Sequence, residues 1–385
     1  MRVPEKKERL RESDVSLPPL FGPLSRLTKR LHADGNCPNR VLHFDELLNL
    51  LLLMFFNPVI TSLRDLSALS ALKKVRSKTG APSFGKSTIA EGMRVFDPLL
   101  LQEVVAELAE KVPDRGTEAL KDLRMVLECV DGSLLRALPR MAWAVWIDDK
   151  NRAAKLHAGF DVLKGVPTAL DVTAAIAKET DFVIDKLERD HLYIMDRGYA
   201  KYSVFQDIMD AGASFVCRIK CDSIMRPVEE RSLAQDDRKC GVVKDTIVRL
   251  GNDPESQGIR VPVRVVEIEG DTRDGRTRML LATDRIEISA ETVALIYRHR
   301  WKVELFFRWL KHTLNFSHLL SDTREGVTIQ IYAAIIATLL VAVISGRKPN
   351  KRLYVMISLY LQGWADEEEL VAVIKALPSV EPPQA

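Results

Sequence analysis

Apolar and polar positions change their spacing three times along the chain, and each change predicts a different kind of element. Up to about residue 115 the spacing is helical. FDELLNLLLLMFFNPV presents a near-continuous apolar surface that should end at Pro58, and the next helix is expected to start near Thr61 or Ser62, whose short side chains can cap free amides. Gly80 and Pro82 predict a turn inside the basic run ALKKVRSKTGAPSFGKST. Thr88 precedes Glu91 by three positions, which predicts a capping box opening the helical stretch IAEGMRVFDPLLLQEVVAELAE.

From Arg124 the texture becomes that of strands. RMVLECVDGSLL reads as an apolar strand ending at Asp131, and MAWAVWID as a second strand after a turn near Pro139. Residues 157–163 and 168–174 supply a third strand or a hairpin around Lys164, Gly165 and Pro167. HLYIM is a short strand with Asp196 at its end, YSVFQDIMDAG is the helix after it, and SFVCRIK is a further strand. Between Cys221 and Asp284, VVKDTIVRL, IRVPVRVVEIEG and TRMLLATD alternate like antiparallel strands. Such a block is too long for an ordinary connection and reads as a strand-rich insertion.

The spacing turns helical again near Ser289 or Glu291. One helix is expected through ETVALIYRHRWKVELFFRWLKH, with Tyr297, Arg300, Glu304, Arg308 and Lys311 spaced by 3, 4, 4 and 3 on a single face. Val327 to Ile344 is an uncharged stretch of eighteen residues, at the lower length limit for a membrane span. Its Thr328, Gln330, Tyr332 and Thr338 favour a buried helix instead. LPSVEPPQA is expected to be a loose tail.

Composition bounds the function without choosing it. The 385 residues are 46% apolar, enough for two or three domains with a sizeable core. Lys and Arg number 56 against 53 Asp and Glu, so the formal charge of +3 supports nucleic-acid binding only weakly. The local concentrations at Lys6 to Arg11, Arg26 to Arg30, Lys73 to Lys78 and Arg298 to Lys311 matter more. Cys37, Cys129, Cys217, Cys221 and Cys240 lack the paired spacing of a zinc site and read as free thiols. MRVPEKKERLRESD has no apolar stretch behind its charges and does not read as a secretory signal.

Two carboxylates at strand ends and a third on a helix can hold two divalent ions that activate an attacking oxygen and stabilise a departing one. Hard oxygen ligands favour magnesium or manganese. Each residue also has a bland reading. Asp131 in VDGS fits a turn, Asp196 in DRGY could pair with Arg197, and Glu304 could pair with Arg300 or Arg308 at i to i+4 spacing. Lys155 and His157 could approach a substrate or simply face solvent, and the tryptophans Trp143, Trp146, Trp301 and Trp309 fit packing.

VDGS, DRGY and YRHRWKVELFFRWLK together resemble the transposases of bacterial insertion sequences, specifically those of the fourth insertion-sequence family within the DDE superfamily. The distinctive part is Tyr297, Arg300, Glu304 and Lys311 at their mutual spacing, and the resemblance covers residues 120–345. It implies an α/β ribonuclease-H-like catalytic core with a strand-rich insertion, a helical N-terminal domain and C-terminal helices. The implied division is a DNA-end-binding segment at 1–118, the first part of the core at 119–220, the insertion at 221–285, the core helices at 286–345 and a C-terminal helix and tail at 346–385. Asp131, Asp196 and Glu304 would be catalytic metal ligands for Mg2+, with Mn2+ substituting; Tyr297, Arg300, Lys311, Arg197 and Lys302 would contact DNA. The implied partners are double-stranded DNA, as terminal inverted repeats and as target, and a second copy of the chain in a synaptic homodimer. The implied location is the bacterial cytoplasm, with no membrane. Related enzymes use an aromatic of the insertion on a flipped base, but no Trp, Tyr or Phe lies between Cys221 and Asp284 here. A ribonuclease-H-like nuclease without strand transfer, an inactive DNA-binding relative and a glycosidase are the competing readings.

Overall fold

The computed structural model describes residues 31–32, 40–79, 81–113, 116–136, 141, 144–146, 152–174, 179–251, 259–272, 275–312, 318–346 and 349–377. The basic runs at Lys6–Arg11 and Arg26–Arg30, Cys37, Gly80, the Pro139 turn, Trp143 and the tail past Leu377 lie outside the described residues. The chain divides into two compact units: Met1–Pro113 with Leu138–Trp143 and Trp309–Glu381, and Asp114–Ala137 with Ala144–Arg308 and Pro382–Ala385.

The first unit opens with helices α1 (Phe44–Phe55), α2 (Leu63–Ala71), α3 (Lys73–Thr79), α4 (Lys86–Val95) and α5 (Leu99–Lys111). Ser62 caps α2 as its sequence predicts, accepting from Asp65 N at 3.3 Å while the Asp65 carboxylate accepts from Ser62 N at 2.9 Å. The expected box at Thr88 does not form, because α4 starts behind Gly85 and encloses Thr88 in its first turn. The Ser70 hydroxyl accepts from Phe84 N at 2.9 Å, which fixes the extended approach to that earlier start. Pro98 then separates α4 from α5, since its ring cannot continue a helix from Val95.

The second unit holds α6 (Glu118–Lys121), β1 (Val126–Arg136), β2 (Val145–Trp146), β3 (Arg152–Asp161), β4 (Val166–Ala174), α7 (Glu179–Ile184), β5 (His191–Met195), α8 (Tyr202–Asp210) and β6 (Ser214–Ile219). It continues with β7 (Met225–Glu230), α9 (Gln235–Lys239), β8 (Val242–Leu250), β9 (Val263–Thr272), β10 (Gly275–Thr283), α10 (Ala290–Arg298) and the larger part of α11 (Trp301–His312), whose residues from Trp309 on belong to the first unit. One ten-stranded sheet runs β2-β3-β1-β5-β6-β10-β9-β8-β7, with β4 on β3. β1, β5 and β6 are parallel, whereas β3 and β4 form an antiparallel pair beside β1. This mixed open sheet with helical extensions is a ribonuclease-H-like core. Its parallel strands read as unbroken apolar runs because both faces are covered. Phe205 of α8, for example, stacks on Phe215 of β6 with ring centroids 4.3 Å apart.

The strand-rich insertion is present, and it prolongs the core sheet rather than standing apart from it. β10 pairs with β6 from Leu280↔Ile219 to Thr283↔Val216. Inside it the fully buried Arg264 holds Asp245 in a two-pronged pair at 2.9 and 2.7 Å. The same guanidinium donates to Arg285 O and Ile288 O at 3.1 and 2.6 Å. The insertion thereby anchors the turn that launches α10.

Two expectations change in this unit. β1 does not end at Asp131 but runs on to Arg136, because its pairing with β3 continues to Arg136↔Ala153 after its pairing with β5 has stopped at Cys129↔Ile194. The single helix expected after Ser289 is two helices. Between them Arg300 N bonds to Tyr297 O and Val303 N to Arg300 O, three-residue spacings that tighten the chain around His299 and Arg300.

The first unit resumes with α12 (Arg324–Ser345), α13 (Lys351–Gln362) and α14 (Glu367–Ala376). α12 is long and apolar enough by composition to cross a membrane, with mean hydropathy 2.4 over its best window, yet 83% of that window is buried inside the protein. It packs on α1, α4 and α5 as a core helix.

Candidate functional site

The β1–β5 register brings two of the expected residues together. Cys129 pairs with Ile194, and two residues further on each strand direction stand Asp131 and Asp196, on the same face of the sheet edge. The Asp196 carboxylate accepts from Gly198 N at 2.6 Å and so caps the tight turn Arg197–Tyr199. Asp131 accepts from Gly132 N at 2.8 Å. Burial pushes the Asp131 carboxyl up to about 6, with Asp196 and Glu179 adding to the rise and the Gly132 N–H and Arg300 opposing it. The rise is mainly a burial effect, with the nearby carboxylates a smaller contribution.

Glu304 arrives from α11. Phe306 packs on Phe160 with centroids 5.2 Å apart, and Phe160 pairs with Cys129 in the sheet, so the helix lies on the face that bears Asp131. Lys302 adds a bond from its ammonium to Val162 O at 2.9 Å. Arg300 Nη2 donates to Glu304 Oε1 at 2.5 Å and its Nη1 lies 3.8 Å from Asp131 Oδ2. One guanidinium therefore bridges the strand carboxylate and the helix carboxylate.

The remaining expected contacts are dispersed. Tyr297 is buried, and burial pushes its hydroxyl up to about 12. Arg197 is exposed, beside a surface hollow lined by Ala200, Tyr202 and Lys220. Lys311 sits two turns beyond Glu304 on α11, and partial burial lowers its ammonium below the ordinary value. His157 is a packed core residue: it stacks on Phe182 at 5.4 Å, and burial lowers its imidazole toward the neutral form.

Sequence reasoning missed Glu179. Its carboxylate binds Lys155 at 3.0 Å and approaches both Gly132 and Gly198, the glycines of VDGS and DRGY. Nothing local in AKETDF distinguishes it from a solvated helix start.

The profile of the family described as Transposase DDE domain matches residues 124–340, more than half of the chain. The chain belongs to this DDE transposase family. Among its relatives is a protein of Sinorhizobium fredii named as a transposase, 30% identical over 58% of this chain and 62% of its own length. Proteins named as transposases for insertion sequence elements in Geobacillus stearothermophilus and Synechocystis are 26% and 22% identical, over 68% and 66% of this chain and 67% and 70% of theirs. The match thus spans less than two thirds of the Sinorhizobium relative. These relatives are bacterial and tie the chain to insertion elements without singling out one insertion-sequence family. The piggyBac transposase synaptic complex with hairpin DNA aligns over 94% of this chain and 84% of its own at 9% identity, with a TM-score of only 0.39.

Membership in this family implies divalent-metal chemistry, and the expected ligands Asp131, Asp196 and Glu304 carry the hard oxygen donors that such a cation takes. The oxygens are not drawn together, however. Among the described residues no three His, Cys, Asp or Glu side chains stand in an arrangement that could hold a metal ion. Arg300 lies between two of the expected ligands.

Proposed function

We propose that the chain is a DNA transposase, of the fourth insertion-sequence family, that cleaves at transposon ends and transfers the resulting 3′-hydroxyls into target DNA. The observation that carries this reading is the match of the Transposase DDE domain family to residues 124–340, within which Asp131 and Asp196 stand on or at the end of adjacent parallel strands and Arg300 reaches from Glu304 to Asp131. Asp131, Asp196 and Glu304 would hold Mg2+, or Mn2+ in its place. When bound, the metal makes the attacking oxygen more nucleophilic and stabilises the departing one.

The protein's own groups orient the DNA. Arg300, freed from Glu304, offers a planar fork to a phosphate; Lys311 and Lys302 extend the same helix-borne charge, and Arg197 stands exposed beside Asp196. Tyr297, buried three residues before Arg300, would contact the DNA backbone through its hydroxyl. The segment 1–118 serves as the end-binding part, with terminal inverted repeats as its ligand. Two copies of the chain hold two ends in a synaptic homodimer within the bacterial cytoplasm.

The test is cleavage and joining of duplexes carrying the element's own ends, with Mg2+, by the full chain and by Glu304→Gln. Joined products that disappear in the variant, with end binding retained, support the reading. Cleavage without joining makes the chain a nuclease, and undiminished joining by Glu304→Gln removes Glu304 from the site.

A further inference from the structure

The stretch from Leu66 to Ala90 carries Lys73, Lys74, Arg76, Lys78 and Lys86 and no Asp or Glu, in a chain whose two signs are otherwise almost balanced. The first unit gathers part of this charge around an open hollow. Lys73, Arg76 and Ser77 of α3 line it, together with Ala81 and Pro82 of the connection to α4. Lys73, Arg76 and Ser77 are exposed, and among the described residues neither cation has an ion-pair partner. Lys74 is different. Its ammonium stands 3.0 Å from the place a Cβ on Gly363 would occupy, so it reaches to the end of α13 and does not line the hollow.

The hollow is held in shape without help from these cations. The Thr79 hydroxyl donates to Val75 O at 3.0 Å and accepts from Ala81 N at 3.3 Å, which ties the end of α3 to the connection. Ser67 of α2 donates to Phe84 O at 2.8 Å, and the Ser70 hydroxyl accepts from Phe84 N at 2.9 Å, which fixes the connection's far end over the buried Phe84 ring. An anion that docks here therefore has little backbone to order.

Charge and shape together single out one occupant. Unpaired cations beside a hydroxyl, with no carboxylate in the same stretch, complement a row of phosphates. Base edges are read by an element that projects into a groove, whereas a hollow receives a ridge, and the ridge of a duplex is its sugar–phosphate backbone. We propose that this hollow is a clamp on the backbone of duplex DNA, with Lys73 and Arg76 on neighbouring phosphates and Ser77 donating to one of them, and that it grips DNA irrespective of sequence. The inference rests on the DNA-transposase reading above and deepens it: within segment 1–118 it assigns the grip to this hollow and leaves recognition of terminal repeats to other residues.

Anisotropy titrations of the full chain across a salt series, with an element-end duplex and a random duplex of equal length, test this with a chelator present. In the double variant Lys73→Ala, Arg76→Ala the slope of log affinity against log salt is expected to shrink by about 1.8, which is about 0.9 for each phosphate, and affinity at about 0.1 M salt to fall about tenfold or more. Both duplexes should lose the same factor, so the preference for the element end is kept. The melting temperature should not move, since neither cation is paired in the protein alone. Lys74→Ala removes the same charge from the same helix and is expected to keep the wild-type slope. A wild-type slope in the double variant, a loss confined to the element end, or a Lys74→Ala effect as large as that of Arg76→Ala overturns this inference and leaves the DNA-transposase reading standing. A wild-type chain that binds neither duplex overturns both.

Discussion

Arg300 donates to Glu304 across 2.5 Å, and the same guanidinium faces Asp131 at 3.8 Å. In the protein alone, then, a side chain expected to grip DNA neutralises two residues expected to hold metal. On the proposed reading the two duties compete for one guanidinium, and its transfer to a phosphate would free both carboxylates.

Replacing Arg300 with Ala separates these duties. If the guanidinium moves to a phosphate when DNA arrives, Arg300→Ala weakens end binding, and the slope of log affinity against log salt shrinks by about 0.9. Anisotropy titrations of an element-end duplex across a salt series read this directly. A slope equal to that of wild type would remove Arg300 from the phosphate contacts.

The anchoring of the insertion makes a prediction of a different kind. Arg264 and Asp245 are both almost fully buried, and Arg264 also satisfies two carbonyls before α10. Arg264→Ala leaves Asp245 buried with only the more distant Arg231, at 4.0 Å, so unfolding in urea should show a loss of about 3–5 kcal/mol. A loss below about 1 kcal/mol, the scale of an exposed pair, would show that solvent reaches this pair.

How much of this was legible in the sequence depends on how local each cause is. The strands that carry Asp131 and Asp196 were visible because strands covered on both faces are mostly apolar, the buried Glu128 of β1 being kept by its bonds to Thr168 and His191. The insertion was visible as alternation, but its junction with β6 was not, since Ala282 meets Cys217 across 64 intervening positions that no local pattern records. The break at His299 and Arg300 escaped because a three-residue turn leaves the 3 and 4 spacing of Tyr297, Arg300 and Glu304 intact. Glu179 escaped because its meaning lies entirely in the two distant glycines it touches. Asp131's strand ran past its expected end because the decisive partner, β3, lies on the far side from β5.

A buried polar cluster behind the site gives stability a pH signature. Glu128 accepts from the Thr168 hydroxyl at 2.6 Å and from His191 Nδ1 at 3.1 Å. The Glu128 bond raises the His191 imidazole above its ordinary 6.5, against the opposing effect of burial. A base whose folded value is raised stabilises fully below its unfolded value and loses that contribution as pH rises through the folded one. The melting-temperature gap between wild type and His191→Gln should therefore be wide at pH 6 and narrow well above the folded value. A gap that stays constant over that span would mean the histidine is neutral throughout.

Asp131 has the same sign from a different cause. Its folded value of about 6 lies above the ordinary 3.8, mainly through burial, so the folded protein holds this proton more tightly than the unfolded chain does. Stability is then lost as pH rises from about 3.8 to about 6, and above that range the ionised Asp131 costs the metal-free fold about 2–3 kcal/mol. Asp131→Asn carries no charge at any pH and escapes that loss. In the presence of a chelator the variant should melt at a higher temperature than wild type at pH 7.5, and the advantage should vanish near pH 4. On the proposed reading the same variant should join no DNA, since it lacks the carboxylate that Asp131 would offer to a divalent cation. A variant less stable than wild type at pH 7.5 would show instead that the Asp131 contact with Arg300 outweighs its burial.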